Sequence, residues 1–415
     1  MRVVLATVGS LGDLHPYIAV ARALAALGAQ PVIASVPEYR ADVERAGIEF
    51  APVGPGFAPF GDYQKLVEKI FDLHRGVEFI VREMVMPHLA EAHADLCSAG
   101  EGADLLVSHP LTVTVPLLAE QRGLRWAATV LAPMNLMSRD DPPLIAGAEW
   151  MRRLPRPAYR AVFAVLRSML WRWEAPLRAF RRELGLPPKR GLTFLDGQFS
   201  PYLNLGLFDS VLAVPQRDWP AHFRVTGAPL HDGPLPADDK RALEDFLGAG
   251  EAPLVFALGS SAVWIAGDFW QHAIEAAREL GRRAILVAGP ASLGTLPVGV
   301  RAFAYLPYSA VFPRALAVIH QGGIGTLSQA LRGARPQLVV PFAFDQPDNA
   351  RRAAALGVAR VLPAKKVSAR PLAAELRLLL ADGAYDKRAQ VVARELSETD
   401  GAARAAEALL EIAAC

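Results

Sequence analysis

Residues 318–326, Val-Ile-His-Gln-Gly-Gly-Ile-Gly-Thr, bring an apolar strand, a histidine and three glycines to the start of a helical pattern. Such a turn offers unpaired backbone N–H groups and the positive end of a helix dipole to an anion, which suits a phosphate or diphosphate. Gly322, Gly323 and Gly325 allow close approach to the backbone. His320 adds a side-chain donor, and Thr326 a hydroxyl at the helix start. A glycine-rich strand-to-helix turn is also a plain structural device, so both readings stand at this point.

Further on, Val339-Val-Pro-Phe-Ala-Phe-Asp-Gln-Pro-Asp-Asn349 reads as a strand whose end releases Asp345 and Gln346, then Asn349, at the mouth of a helix. Positions just past the carboxyl end of a strand in an open parallel sheet are where ligands bind. An acid beside an amide suits sugar hydroxyls. Near the N-terminus, Thr7-Val-Gly-Ser-Leu-Gly-Asp-Leu-His-Pro16 follows the first apolar run, with Asp13 at a helix start. That acid is either an N-cap, worth about 0.3–1 kcal/mol through the dipole, or a base facing a ligand.

The order His-x-Gly-Gly-x-Gly-Thr followed by Pro-Phe-x-x-Asp-Gln-x-x-Asn resembles the donor-binding signature of the family 1 nucleotide-sugar glycosyltransferases. Gly-Ser-x-Gly-Asp-x-x-Pro resembles the members acting on sterols, glycopeptides and rhamnolipid precursors, where the acid replaces a histidine. By that resemblance Asp13 is the general base; His15, two positions on, is a candidate for supporting it or for meeting the acceptor, and His109 and Trp173 are further acceptor-binding candidates. It also implies that Gly12, Gly259, Ser260, His320, Gly322, Gly323, Gly325, Thr326, Asp345 and Gln346 hold the donor. The segment Phe303-Ala-Tyr-Leu-Pro-Tyr308 resembles the base-binding loop, with main-chain groups near Leu306 meeting the pyrimidine; for Tyr305 and Tyr308 packing is the alternative.

Within the family, the sequence is most similar to the branch holding the rhamnosyltransferases of rhamnolipid synthesis. That likeness rests on Gly9-Ser-Leu-Gly-Asp13, Ser138-Arg-Asp-Asp-Pro-Pro143, Gln216-Arg-Asp-Trp-Pro220, residues 225–233, Gly267-Asp-Phe269 and Gly322-Gly-Ile-Gly325. The function implied is inverting, metal-independent transfer of L-rhamnose from dTDP-L-rhamnose to the hydroxyl of an amphiphilic hydroxy-fatty-acyl acceptor. The alternatives are a glucosyltransferase using a UDP- or dTDP-sugar on a sterol or polyketide-like acceptor, a nucleotide-sugar epimerase or hydrolase, and a noncatalytic nucleotide-sugar-binding subunit. No cofactor is expected, and no Asp-x-Asp stands at a strand end to hold a metal.

The elements that must carry these residues repeat in two halves. Apolar runs at 2–8, 31–36, 105–108 and 126–131, then at 254–258, 284–288, 315–319 and 337–340, alternate with helical patterns such as 16–27 and 268–280. Runs of that kind are buried on both faces and predict α/β architecture with parallel sheets. The expected fold is GT-B: two doubly wound Rossmann-like domains with an interdomain cleft. The expected boundaries are residues 1–214 for the acceptor-binding domain, a proline-broken linker at 215–236, 237–400 for the nucleotide-sugar-binding domain, and a helix at 401–415 packing back on the first domain.

At 415 residues the chain is long enough for two cores, and its hydrophobic share of 52% is high. No apolar run approaches the roughly 18 residues of a membrane span. The N-terminus reads as a strand rather than a signal peptide. Cys97 and Cys415 alone suggest neither a disulfide framework nor a cysteine metal site, and a net charge of +2 is too near neutral to argue for nucleic acid as a global partner, so none is expected. A cytoplasmic protein is expected, peripheral to the inner membrane surface. Membrane contact is suggested by residues 152–190, where Arg152, Arg153, Arg156, Arg160, Arg167, Arg172, Arg178, Arg181, Arg182, Lys189 and Arg190 face only Glu174 and Glu183. Val162, Phe163, Leu166, Met169, Leu170, Trp173, Leu177 and Phe180 recur beneath them at helical spacing. The alternative is a packed helix with a solvated basic face.

Overall fold

The computed structural model describes residues 1–189 and 191–414; Arg190, Cys415 and the side chain of Arg156 lie outside the described residues. The polypeptide divides into two compact units. One holds Met1–Ser210, Val214–His231 and the segment from Asp400; the other holds Val211–Ala213 and Asp232–Thr399.

The first unit is built on strands β1 (Arg2–Ala6), β2 (Gln30–Ser35), β3 (Glu49–Pro52), β4 (Leu105–Ser108), β5 (Arg125–Val130), β6 (Leu203–Gly206) and β7 (Phe223–Val225). They form a parallel seven-stranded sheet in the order β3-β2-β1-β4-β5-β6-β7. The second unit carries β8 (Leu254–Ala257), β9 (Ala284–Val287), β10 (Val300–Phe303), β11 (Ala317–His320), β12 (Gln337–Val339) and β13 (Ala359–Val361). Their parallel order is β10-β9-β8-β11-β12-β13. The central strands are apolar along their whole length because both faces are covered: β4, β8, β9 and β11 are buried at every residue. Each unit is thus a Rossmann-like open sheet. In each, the order reverses once, between β1 and β4 and between β8 and β11, and the turns leaving those strands meet at a switch point.

In the first unit, helix α1 (Leu11–Ala26) starts five residues before the expected Pro16, because Ser10 caps it. Pro16 falls inside the helix rather than at its start. Helices α2 (Arg156–Trp173) and α3 (Ala175–Glu183) follow the β5 region. The second unit contributes α4 (Ile324–Arg332) and α5 (Gln346–Ala355) directly after β11 and the β12 loop. The last helix, α6 (Gly401–Ala414), packs on α1 within the first unit. Its entry is close: a side chain on Gly401 would fall 2.5 Å from the Gly227 carbonyl oxygen. The prolines of 215–236 predict no regular structure there, yet β7 lies in that stretch. Asn204 N–H donating to the His222 carbonyl, and the β6 pairing that follows, draw this segment into the sheet edge.

Candidate functional site

In the first unit, the site is built where β1 and β4 end side by side. Ala6 pairs with Ser108, and the next N–H, that of His109, donates to the Ala6 carbonyl at 3.1 Å. The β1 turn then reverses through Gly9 at φ 133°, a backbone conformation available only to glycine at low cost. Asp13 sits at the third position of α1 in a reciprocal cap. Its Oδ2 accepts the Ser10 N–H at 2.7 Å and the Ser10 hydroxyl at 3.0 Å, while Gly12 N–H donates to the Ser10 hydroxyl. Asp13 is therefore a cap, and it is more than that.

Its other oxygen, Oδ1, lies 3.3 Å from His109 Nε2. His109 Nδ1 accepts the Leu111 N–H at 3.2 Å, so the ring proton is on Nε2 and is donated to Asp13. His109 is 4% exposed. Its ring packs edge-on against Tyr17, whose hydroxyl donates to Thr129 at 2.6 Å; Thr129 in turn donates to the Ser108 carbonyl. The buried series Tyr17–Thr129–Ser108 fixes β4 and hence the imidazole. The Asp13 side chain remains 30% exposed, with Oδ1 holding a lone pair beyond the histidine bond. Such a carboxylate can receive a proton from an incoming hydroxyl.

An aromatic wall stands beside this turn. Tyr39 donates its hydroxyl to the Gly9 carbonyl at 2.8 Å and meets Phe57 at 5.9 Å, and Phe57 meets Tyr63 at 5.4 Å. Burial raises the Tyr63 phenol above its ordinary range, and the Asp13 charge adds to the shift. Sequence reasoning missed these rings. The signal available was the Gly/Pro-rich loop after β3 with aromatic residues set into it. His15 contacts the His231 ring edge-on at 5.2 Å, close to where the first unit hands over to the second in sequence. Trp173 instead packs with Phe180, Leu184 and Phe194 on a cluster around Val81, Leu89 and Leu177, which gives it a packing role in the helical layer.

In the second unit, β8 and β11 end together, with Ala257 paired to His320. Gly259 and Gly322 turn the backbone at φ 67° and 87°. A side chain on Gly322 would fall 2.7 Å from Val339, so that glycine is required by packing alone. Gly325 has open space where a side chain would be. The first-turn N–H groups of a helix lack intrahelical partners. Here that of Ile324 goes to Asp345 Oδ2 at 3.3 Å, which leaves those of Gly325 and Thr326 for an anion. Ser260, half-buried, opens the short helix after Gly259.

His320 does not fit the role of a direct donor to a ligand. It is fully buried; Nδ1 accepts the Gly322 N–H at 3.1 Å, which places the proton on Nε2, and Nε2 meets Gln337 Oε1 at 3.0 Å. Both ring nitrogens are spent within the protein, so His320 shapes the glycine turn from beneath. Burial lowers its pKa to about 4, against a smaller opposing effect of the Gln337 bond. The neighbouring Gln321, passed over in the sequence motif, is better placed. Its Nε2 donates to the Thr326 hydroxyl at 3.2 Å and lies 2.3 Å from where a Gly259 side chain would begin and 2.9 Å from that of Gly323. Its carboxamide is therefore wedged between the two glycine turns.

The acid and amide after β12 are partly engaged by their own loop. Asp345 Oδ2 also accepts from Asn349 at 2.6 Å, and Asn349 donates on to the Gly322 carbonyl at 2.9 Å, tying this loop to the glycine turn. Gln346 Oε1 accepts the Phe342 and Ala343 N–H groups, which turns its NH2 group outward from that bond. Tyr305 accepts the Gly233 N–H at 2.6 Å, and burial pushes its phenol up to about 12. Leu306 is fully buried in the core, main chain included, so the expected contact of its main chain with a base has no open surface here, whereas the neighbouring Tyr305 is 37% exposed. Among the described residues no cluster of histidine, cysteine, aspartate or glutamate is arranged to hold a metal ion.

Comparison with known proteins places this geometry. Residues 3–133 match the glycosyltransferase family 28 N-terminal domain, and residues 283–412 match the C-terminal domain of erythromycin biosynthesis protein CIII-like proteins. The chain is 34% identical to the O-mycaminosyltylonolide 6-deoxyallosyltransferase of Streptomyces fradiae, covering 98% of this chain and 95% of that protein. It is 30% identical to the vancomycin aglycone glucosyltransferase of Amycolatopsis orientalis, over 99% and 97% of the two chains. The solved structure of the glycosyltransferase VinC in complex with dTDP superposes with a TM-score of 0.71, covering 100% of both chains at 22% identity, and shares the fold.

Proposed function

This protein belongs to the family 1 glycosyltransferases of GT-B fold, and from that premise we propose that it transfers L-rhamnose from dTDP-L-rhamnose to the hydroxyl of an amphiphilic hydroxy-fatty-acyl acceptor, with inversion. Sugar transfer from a nucleotide sugar is the family's chemistry; the sugar, the nucleotide and the acceptor are the proposal. The observation that carries it is the His109–Asp13 bond at the β1/β4 switch, which gives a part-exposed carboxylate a fixed orientation and a free lone pair.

In this reading Asp13 takes the proton of the acceptor hydroxyl as its oxygen attacks the anomeric carbon. The bond between that carbon and the diphosphate oxygen breaks, and the nucleoside diphosphate leaves with the electron pair. General-base assistance of this kind contributes about 10²–10⁴-fold. The leaving charge falls on the N–H groups of Gly325 and Thr326 and on Gln321, with the open space at Gly325 admitting it and Gly259 and Gly323 making room for the Gln321 carboxamide. Fixed dipoles of that kind stabilise developing charge without a metal. Asp345 and Gln346 face the sugar hydroxyls, and the pyrimidine meets the exposed Tyr305. On the acceptor side, Tyr39, Phe57 and Tyr63 offer an apolar wall, joined by His15, while the buried His109 holds Asp13 from behind. That wall supports an acceptor with an apolar body.

A second acceptor class is favoured by one observation: the 34% identical relative is named for a glycosylated tylonolide, so a polyketide-like alcohol is the other candidate. One experiment separates them. Purified protein is incubated with dTDP-L-rhamnose, dTDP-glucose and UDP-glucose against a hydroxyalkanoyl-alkanoate and a macrolide aglycone, with products read by mass spectrometry and anomeric configuration by NMR. A β-hydroxyacyl rhamnoside is the expected product. Transfer only to the macrolide would replace the acceptor assignment, and retention at the anomeric carbon would overturn the mechanism.

A further inference from the structure

Helix α2 half-buries one side and leaves the other half of its circumference exposed, and the exposed half has the wrong composition for water. Ala161, Ala164, Val165, Met169 and Trp171 all lie on it, with Val165 61% exposed, Met169 43% and Trp171 49%. At 100° per residue they fall on one continuous arc, opposite Tyr159, Phe163, Leu166 and Leu170. Trp150, in the turn before the helix, is 54% exposed as well. A solvated helix face is ordinarily charged. This one carries no carboxylate, since residues 156–173 contain neither Asp nor Glu. Among its described side chains the exposed charges are Arg160 and Arg172, towards the two ends of the helix.

Neighbouring arginines are engaged within the unit. Arg167 pairs with Asp196 at 3.2 Å, Arg178 lies over the Trp171 ring at 3.8 Å, and the buried Arg181 bonds both oxygens of Glu120. The patch is thus not a by-product of a basic helix packed the other way round; apart from the exposed Ser168 it is apolar outside and inside, with an exposed cation towards each end.

We propose that the outer face of α2 docks on an anionic lipid bilayer. The helix lies in the plane of the headgroups, with Val165, Met169 and Trp171 entering the acyl boundary and Arg160 and Arg172 meeting lipid phosphates. Amphipathic helices bind in that manner, and tryptophan settles at the headgroup level. Charge selects this occupant over a second copy of the chain. A two-fold contact through this face would bring the Arg160 and Arg172 side chains of both copies together with no acid on the helix to offset them. The inference does not depend on which donor or acceptor the protein uses.

The test is co-sedimentation of the full chain with vesicles of phosphatidylcholine alone and of equal parts phosphatidylcholine and phosphatidylglycerol. Wild type is expected on the anionic vesicles, less so as salt rises. The double variant Val165→Asp/Met169→Asp, at exposed positions, should lose about tenfold or more of that binding. Arg160→Gln/Arg172→Gln should lose the preference for phosphatidylglycerol. A melting temperature and circular dichroism spectrum equal to wild type for each variant control for folding. Three outcomes overturn the proposal: no sedimentation of wild type on anionic vesicles, equal binding by the double Asp variant, or a wild-type dimer in solution that the double Asp variant converts to monomer.

Discussion

Gly9 is a glycine because Asp13 fills the space where its side chain would be: a Cβ there would lie 2.4 Å from Asp13 Oδ2. The φ of 133° adds backbone strain for any other residue. Gly9→Ala is expected to displace the carboxylate from Ser10 and His109 and to lower stability by about 1–3 kcal/mol. Turnover should fall with it while dTDP affinity stays. Thermal melting, steady-state kinetics and calorimetry on one preparation check all three.

Asp13→Asn keeps the shape and the bonds to Ser10 but has no basic oxygen for the acceptor proton. It should cut kcat by about a hundredfold or more and leave donor binding near wild type. Turnover within about threefold of wild type would remove Asp13 from the base role.

His109→Phe preserves the ring that packs on Tyr17 and deletes the Nε2–H bond to Asp13. As a positioning residue, His109 should affect kcat by about tenfold or more with little change in donor KM. A purely structural role would instead appear as a lower melting temperature with normal kcat, and His109→Gln, which keeps a donor, should recover part of the loss.

Gln321→Glu places a carboxylate between the two glycine turns. Its repulsion of a diphosphate should weaken dTDP and UDP binding by about tenfold or more, whereas Gln321→Met should cost less. Unchanged affinity for Gln321→Glu in calorimetry would move the diphosphate away from this turn.

His320 gives a pH signature. Its ordinary pKa of 6.5 applies to the unfolded state, and burial lowers it to about 4 in the folded protein. Between those values the unfolded state binds more protons, so stability falls as pH drops from 6.5 towards 4 and this contribution is flat outside that window. The total is on the order of 3 kcal/mol. His320→Asn, which retains an acceptor for the Gly322 N–H, should remove this part of the acid loss in denaturant titrations. Because the imidazole spends both nitrogens within the protein, His320→Asn should also keep dTDP affinity within about threefold, while His320→Ala loosens the turn and weakens it.

Local chemistry in the sequence is enough to locate the two turns. Apolar runs such as Leu105–Ser108 and Leu254–Ala257 are strands because they must be buried on both faces, and the glycines at 9, 259 and 322 mark the residues able to turn there at positive φ. Asp13 is visible as an acid at a helix start. What sits next to it is not. His109 is 96 residues away, and it reaches Asp13 only because the sheet order reverses between β1 and β4, a pairing no local pattern encodes. The same reversal between β8 and β11 sets Gly259 against Gln321, and the depth of burial decides that His320 faces Gln337 rather than a ligand. On α2, periodicity identifies the buried stripe, but whether the opposite face meets water or more protein depends on what the rest of the unit covers. The tertiary structure leaves it bare, because no described residue of the first unit packs over Val165 and Met169 closely enough to bury them.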